Sequence, residues 1–254
     1  MSHAAAAWVK DMAEFCMKIA GHTALVQSRF DSTRDYCKAY LTEEAPEFTI
    51  TVTAEDLAFE QAELLAEAKA EGMKPRKFTD PFLDRAAIQR GFADWLFHRD
   101  ILLCHGSTVA VDGKAYLFTA RCGTGKSTHT RLWREVFGDR AVMVNDDKPF
   151  LILTDDGVLA CGAPWSGKHG LDTNITVPLA GICILERGPE NIIRPAAMEE
   201  ALPRLLHETH CPAGEEARFQ ALVTRLAART NLWHMECTKD PQAAETAHRA
   251  MSHT

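Results

Sequence analysis

The sequence predicts an α/β (α+β) chain, a mixed-sheet core preceded by a small α+β segment. Three observations carry that expectation. A two-residue hairpin signal, Asp112-Gly113, stands between two strand-like runs. The second run feeds directly into a glycine-rich turn and a helix, and the chain beyond residue 198 alternates helical and strand patterns. With 254 residues, 46% of them hydrophobic and 25% charged, the chain has the composition of a soluble protein able to bury a core.

At the N-terminus, Ala4 to Ala7 are followed by Lys10 and Asp11, which interrupt the apolar stretch before a signal-peptide core can form. No later window approaches the ~18 apolar residues of a membrane span. Phe48, Ile50 and Val52 alternate as a half-buried strand. Thr53 with Asp56 three residues on forms the acidic variant of a helix capping box, and Gly72 ends the helix. A domain boundary is expected in the stretch Gly72 to Thr79, giving an accessory segment over 1–76 and a core over 77–254. Asp80-Pro81 reads as N-cap and first helical residue, opening a helix with Phe82, Ala86, Ile88, Phe92, Trp95 and Leu96 on its apolar stripe.

Ser107 to Val111 and Lys114 to Thr119 flank the Asp112-Gly113 turn, so the strand entering the glycine loop is antiparallel to its sequence neighbour. A second hairpin is expected at Asp156-Gly157, between strands 150–153 and 158–161, and further strands over 180–186 and 191–194. The tail reads as helices over 198–209 and 215–228, a strand over 231–237 and a helix over 241–251. The sheet should therefore be mixed.

The chemistry begins at Ala120-Arg121-Cys122-Gly123-Thr124-Gly125-Lys126-Ser127, placed between the strand ending at Thr119 and a helix over 128–137 closed by Gly138. Glycines let consecutive backbone N–H groups curl around phosphate oxygens, and the helix N-terminus adds its dipole. Lys126 can neutralise the β/γ charge and the Ser127 hydroxyl can reach Mg²⁺. Gly123, Thr124, Gly125, Lys126, Ser127 and Thr128 are thus the nucleotide-binding candidates. Ala120 stands where such loops begin with glycine.

One helix later, the strand 141–144 ends in Asn145-Asp146-Asp147. A crossover between parallel strands brings both C-terminal ends to one edge of the sheet, so the carboxylates should face the loop. One can hold Mg²⁺ opposite Ser127 while the other accepts a hydroxyl proton. His105-Gly106, before the first hairpin, places a histidine able to reach the phosphates or orient Asp146. Gly162 to Asn174 is a long loop with Gly167, Lys168 and Gly170. The segment Trp165 to Asn174 is expected to be a mobile flap, with Lys168 steadying charge on the transferring group. His207-Glu208-Thr209-His210-Cys211 lacks HExxH spacing, so no metal site is expected there.

His105-Gly106, the hairpin, Gly123-Thr124-Gly125-Lys126-Ser127 and the Asp146-Asp147 pair resemble the HPr kinase/phosphorylase catalytic domain. The glycine-lysine loop and strand-terminal aspartates are equally similar to ATP-dependent phosphoenolpyruvate carboxykinase, of the same superfamily. The resemblance covers residues 101 to 150 most closely and extends to about 186. It implies a P-loop fold of that type, with ATP on Gly123 to Ser127, Mg²⁺ on Ser127 and Asp147, Asp146 as catalytic base and His105 beside it. Lys168 falls where HPr kinases carry an arginine, and Thr128 where many carry a glutamate. The chain is short for a carboxykinase and shows no counterpart to that enzyme's oxaloacetate-binding arginines.

The expected function is Mg-ATP-dependent transfer of the γ-phosphoryl group to a hydroxyl, whether on a serine or threonine of a protein or peptide or on a small metabolite. An NTPase switch, a non-catalytic nucleotide-binding module and a carboxykinase stand as alternatives. The net charge of −7, from 28 Lys+Arg against 35 Asp+Glu, predicts no bulk attraction to nucleic acid or to an anionic membrane. Eight scattered cysteines without a CxxC pair fit reduced thiols and a cytoplasmic location. ATP versus GTP and association into a homo-oligomer stay open.

Overall fold

The computed structural model describes residues 13–252 except 71 and 73, so the expectation for Ala4 to Asp11 lies outside the described residues. The chain divides into two compact units between Trp95 and Leu96, later than the 76/77 boundary expected from the helix-stop and helix-start signals around Gly72 to Asp80. No helix among the described residues is long and apolar enough to cross a membrane.

The N-terminal unit holds strands β1 (Ala13–Ile19), β2 (His22–Ser28) and β3 (Phe48–Thr51), in the order β1-β2-β3, with β2 and β3 parallel. Helices α1 (Asp31–Tyr36) and α2 (Ala54–Ala70) and most of α3 (Asp80–Phe97) complete it. The β1–β2 hairpin, which the sequence reading did not include, turns on Ala20 and Gly21, both at positive φ. The capping box before α2 forms: Thr53 N–H and Oγ1 donate to Asp56 Oδ2, and Asp56 N–H donates to Thr53 Oγ1. At α3 the cap falls one residue earlier than expected. Leu83 N–H donates to the Thr79 carbonyl, leaving Asp80 inside the first turn.

Asp84 on α3 is wholly buried and accepts from Ser28 Oγ at 2.7 Å, Thr33 Oγ1 at 2.7 Å and Arg29 N–H at 3.0 Å. Asp84→Ala would strand three donors away from water, so we expect a loss of about 3 kcal/mol, read as a lower denaturation midpoint with unchanged slope. An unchanged midpoint would make the carboxylate dispensable.

The C-terminal unit is built on a nine-stranded sheet. Its strands are β4 (Ile101–Leu103), β5 (Ser107–Val111), β6 (Lys114–Thr119), β7 (Ala141–Asn145), β8 (Phe150–Thr154), β9 (Gly157–Cys161), β10 (Thr176–Arg187), β11 (Ile192–Pro195) and β12 (Leu232–Cys237). The path runs β4-β8-β9-β10-β6-β5-β7, with β12 on β10 and β11 on β12. Twelve-residue β10 joins the two halves: Thr176 to Pro178 pair antiparallel with β9, and the remainder runs parallel to β6 and β12. The mixed sheet is as expected. Asp112 and Gly113 both have positive φ, the type I′ geometry their identities demand. At the second hairpin Thr154 pairs with Gly157, so Asp155 and Asp156 form the turn and Gly157 begins β9.

Helices α4 (Lys126–Phe137), α5 (Met198–Glu208), α6 (Glu216–Ala228) and α7 (Gln242–Met251) cover the sheet. Alternation along the strands sorts side chains to its two faces. Ala115, Leu117, Ile182 and Ile184 join Leu205, Leu222 and Leu226 of α5 and α6. Tyr116, Phe118, Cys183 and Leu185 join Trp133 and Met251 of α4 and α7.

Within the second face, His129 of α4 sits edge-on to Phe118, 4.5 Å between ring centroids, and accepts from Trp133 Nε1 at 3.1 Å. Burial pushes its imidazole down to about 4 from an ordinary 6.5. The unfolded chain therefore takes up this proton first as pH falls. The stability involved is complete above about pH 6.5 and is lost toward pH 4, up to about 3 kcal/mol. His129→Gln should flatten the acid limb of a melting-temperature profile over that window. An acid limb as steep as in the parent would place the titration elsewhere.

Candidate active site

β6 and β7 are parallel, with β5 antiparallel between them, and α4 makes the crossover. Both strand ends consequently emerge at one edge of the sheet, and the loop after Thr119 and the aspartates after Asn145 share it. Gly123 has φ +74° and Gly125 φ +127°, backbone that L side chains rarely adopt, which fixes glycine at both positions. Gly125 is the N-cap of α4. Ser127 and Thr128 lie in its first turn, half-buried. Lys126 Nζ donates to the Ala120 carbonyl at 3.1 Å, so the ammonium folds back across the loop opening.

A brace that sequence reading missed holds the loop from outside. Arg187, at the end of β10, donates Nε–H to the Thr124 carbonyl at 3.1 Å and Nη2–H to the Gly123 carbonyl. The brace occupies two loop carbonyls, and within the loop Thr124 N–H donates to the Arg121 carbonyl at 3.1 Å.

The two aspartates have different surroundings. Asp146 is only 5% exposed; its Oδ1 accepts from Ser107 Oγ at 2.6 Å, and Ser107 Oγ is 2.7 Å from Thr130 Oγ1 on α4. Asp147 keeps 35% of its side-chain surface open and has Oδ1 3.3 Å from His105 Nε2. The expectation that His105 lies beside Asp146 is thus corrected. Asp146 points toward α4 through Ser107, and the histidine meets the second aspartate.

His105 is held on its other side by Glu208, at the end of α5, with Nδ1 2.9 Å from Oε2. The backbone fixes this pairing: His105 N–H donates to the Glu208 carbonyl at 2.6 Å, and Cys104 and Thr209 form a β-bridge. Glu208 also accepts from Arg204 Nη1 at 2.9 Å. Burial works against charge on all three groups, and their mutual hydrogen bonds outweigh it. His105 is raised above its ordinary value by Asp147 and Glu208, Asp147 is lowered chiefly by His105, and Glu208 is brought down to about 2, again chiefly by His105. The result is a continuous chain of contacts, Arg204–Glu208–His105–Asp147, reaching the site edge. Glu208 belongs to the His207 to Cys211 stretch, where no metal site is expected; its contact with His105 spans a hundred residues of chain, beyond any local pattern.

The loop between β9 and β10 closes over the aspartates. Asn145 Nδ2 donates to the Ala163 carbonyl at 2.6 Å and the Trp165 carbonyl at 3.3 Å, and Ser166 Oγ donates to Asp172 Oδ2 at 2.5 Å. Trp165 and Ser166 are buried, so the segment expected to swing from Trp165 onward is pinned at its neck, and the exposed tip is Gly167 to Gly170. A Cβ on Gly167 would lie 3.3 Å from Asp147 Cβ, which sets this tip directly against the carboxylate. Lys168 stands on it, exposed and, among the described residues, with no ion pair.

No family model matches the chain, and no curated protein matches it. Among solved structures it is similar to the Hpr(Ser) kinase/phosphatase from Coxiella burnetii, at 12% identity over 60% of this chain and 99% of that one, with a TM-score of 0.36.

Proposed function

We propose that the protein transfers the γ-phosphoryl group of a nucleoside triphosphate to a hydroxyl, as a Mg-ATP-dependent kinase. The observation that carries this reading is the shared edge. A glycine loop with two positive-φ glycines and Lys126 stands beside two carboxylates, one buried against the loop helix and one open and paired with His105. A binding module would need the loop alone. An open aspartate with a dedicated partner supplies what transfer to a hydroxyl requires in addition.

The geometry favours exchanging the roles expected from sequence. Asp147 is the carboxylate that an acceptor can reach, so it is the proposed base, oriented by His105. Asp146 is linked through Ser107 and Thr130 to the first turns of α4 and belongs with Ser127 on the metal side. A hydroxyl and a carboxylate are the hard oxygen donors that suit Mg²⁺. When bound, the ion would neutralise phosphate charge. Gly123 to Thr128 would hold the phosphates, with Lys126 leaving Ala120 to meet them.

Lys168 is the proposed cation over the transferring group. Lys168→Ala should lower turnover by about 10-fold or more while ATP affinity changes little, because a contact made only in the transition state acts on turnover. Single-turnover kinetics with ATP titration separates the two; equal losses in both would make Lys168 a ground-state phosphate ligand. The overall reading is tested by following γ-labelled ATP. Label must pass to an acid-stable phosphoester on an added acceptor, and release of inorganic phosphate alone, unaffected by any acceptor, would favour the NTPase reading.

A further inference from the structure

One buried side chain joins the turn that carries the two aspartates to the loop between β9 and β10. Asn145, the last residue of β7, is wholly buried. Its Oδ1 accepts from Asp147 N–H at 2.8 Å and from Lys148 N–H at 2.6 Å. Its Nδ2 donates to the Ala163 carbonyl at 2.6 Å and to the Trp165 carbonyl at 3.3 Å. A side-chain amide has two acceptor lone pairs and two donor hydrogens, and here all four are used. The partners also fix its orientation, because a turned amide would set its donors against N–H groups and its acceptor against carbonyls.

The two sides of the amide hold different things. On the oxygen side, the bond to the residue two places on is an Asx turn, which curls the chain after β7 and presents Asp147 to the site. On the nitrogen side, the bonds grip one limb of the loop neck. The other limb is held by backbone: Asp146 N–H donates to the Leu171 carbonyl at 3.0 Å and Thr173 N–H to the Val144 carbonyl at 3.2 Å. The limbs also touch each other, since a Cβ on Gly162 would fall 1.9 Å from the Thr173 carbonyl oxygen. The tip, Gly167 to Gly170, grows out of this neck, with Gly167 against Asp147 and Lys168 exposed. Asn145 is thus bonded on one side to the segment that presents Asp147 and on the other to the segment that leads into Lys168. Aspartate in its place would keep the turn but press carboxylate oxygens against two carbonyls. Alanine would leave two N–H groups and two carbonyls without this partner.

We infer that Asn145 is a positioning residue of the transfer site, whose amide fixes the separation between the base Asp147 and the tip that carries Lys168. The inference rests on the phosphoryl-transfer reading. Asn145 is buried and meets neither nucleotide nor acceptor, so it acts through those two residues. A base and a cation that approach one reacting group from two segments lose rate steeply when their separation drifts, and a misplacement of ~1 Å can cost about 10²-fold.

The coupling is tested first in the parent protein, without nucleotide. The two Asn145 side-chain amide protons and the backbone amide protons of Asp147 and Lys148 should open as one unit. Their protection factors, measured by NMR hydrogen exchange, should therefore agree within about fivefold, and a wider spread would overturn the coupling.

Two substitutions follow. Asn145→Asp keeps the turn and releases the neck, whereas Asn145→Ala releases both without adding charge beside Asp146. Both should lower single-turnover transfer by about tenfold or more while ATP affinity stays within about threefold, a split that general loss of structure does not give. Trypsin cleavage after Lys168 should quicken by about tenfold in both. Adding Lys168→Ala should cost about threefold or less in the Asn145→Ala background, against about tenfold in the parent, because a cation already out of place has little left to lose. Parental turnover, parental cleavage after Lys168, full additivity in the double variant, or equal losses of turnover and ATP affinity would each overturn the proposal. Were neither variant to fold, the exchange pattern of the parent decides alone. A parent that transfers no phosphoryl group to any acceptor counts against the phosphoryl-transfer reading, and it does so separately from the exchange and cleavage results, which read the coupling without any turnover.

Discussion

Asp147→Asn is expected to lower turnover by about 10²- to 10⁴-fold while leaving Mg-ATP affinity nearly intact, the scale at which a positioned base contributes. The open carboxylate is the one an acceptor can meet, and its partner His105 is itself fixed by a buried glutamate and a backbone hydrogen bond. Asparagine keeps the shape and can still accept from His105, so folding should survive and the loss should lie in the chemistry. Asp146→Asn should instead raise the Mg²⁺ concentration needed for half-maximal activity, because that carboxylate faces the loop helix through Ser107 and Thr130. Titrating Mg²⁺ and ATP independently in both variants separates these outcomes. If Asp147→Asn shifted the Mg²⁺ requirement and Asp146→Asn lost turnover alone, the roles would revert to those the sequence resemblance implies.

Lys126→Ala is expected to abolish measurable nucleotide binding. Lys126, whose ammonium folds back onto the Ala120 carbonyl, supplies the positive charge at the start of the loop helix, against three phosphates and a chain of net charge −7. The loop itself should persist, because the positive-φ glycines and the Arg187 brace do not depend on the lysine. Equilibrium binding of a fluorescent ATP analogue, with a melting curve to verify folding, checks this. Retained affinity in a folded variant would remove the phosphate-loop assignment.

What was legible in the sequence was what local chemistry dictates. Asp112-Gly113 names its own turn, Thr53 and Asp56 name a capping box, and Gly123 and Gly125 occupy backbone that excludes other residues. The strand–loop–helix–strand run from Lys114 to Asn145 followed from the same signals. Less visible was the β1–β2 hairpin, whose Ala20-Gly21 turn lacks the Asn or Asp that marks such turns. β10 extends four residues before the predicted start because its first pairs are with β9, and partner choice is a tertiary matter. In the site, Arg187, Arg204 and Glu208 went unread for the same reason. Arg187 is sixty-three residues from Thr124, and nothing in its neighbourhood announces the carbonyls it holds. The pairing of His105 with Asp147 rather than Asp146 also lies beyond sequence. Adjacent residues at a strand end point to opposite sides, and only the packed structure shows that Ser107 claims one and His105 the other.

The central claim, a phosphate loop and an aspartate joined in one phosphoryl-transfer site, is tested most directly by ADP formation from ATP in the presence of hydroxyl acceptors. The assay is run with and without Mg²⁺ on the parent protein, Lys126→Ala and Asp147→Asn. The account predicts Mg²⁺-dependent ADP matched one for one by phosphoester in the parent, no nucleotide bound by the lysine variant, and nucleotide bound without turnover by the aspartate variant. ADP formation at parental rates in Asp147→Asn, or a parent that binds no triphosphate with Mg²⁺ present, would contradict it.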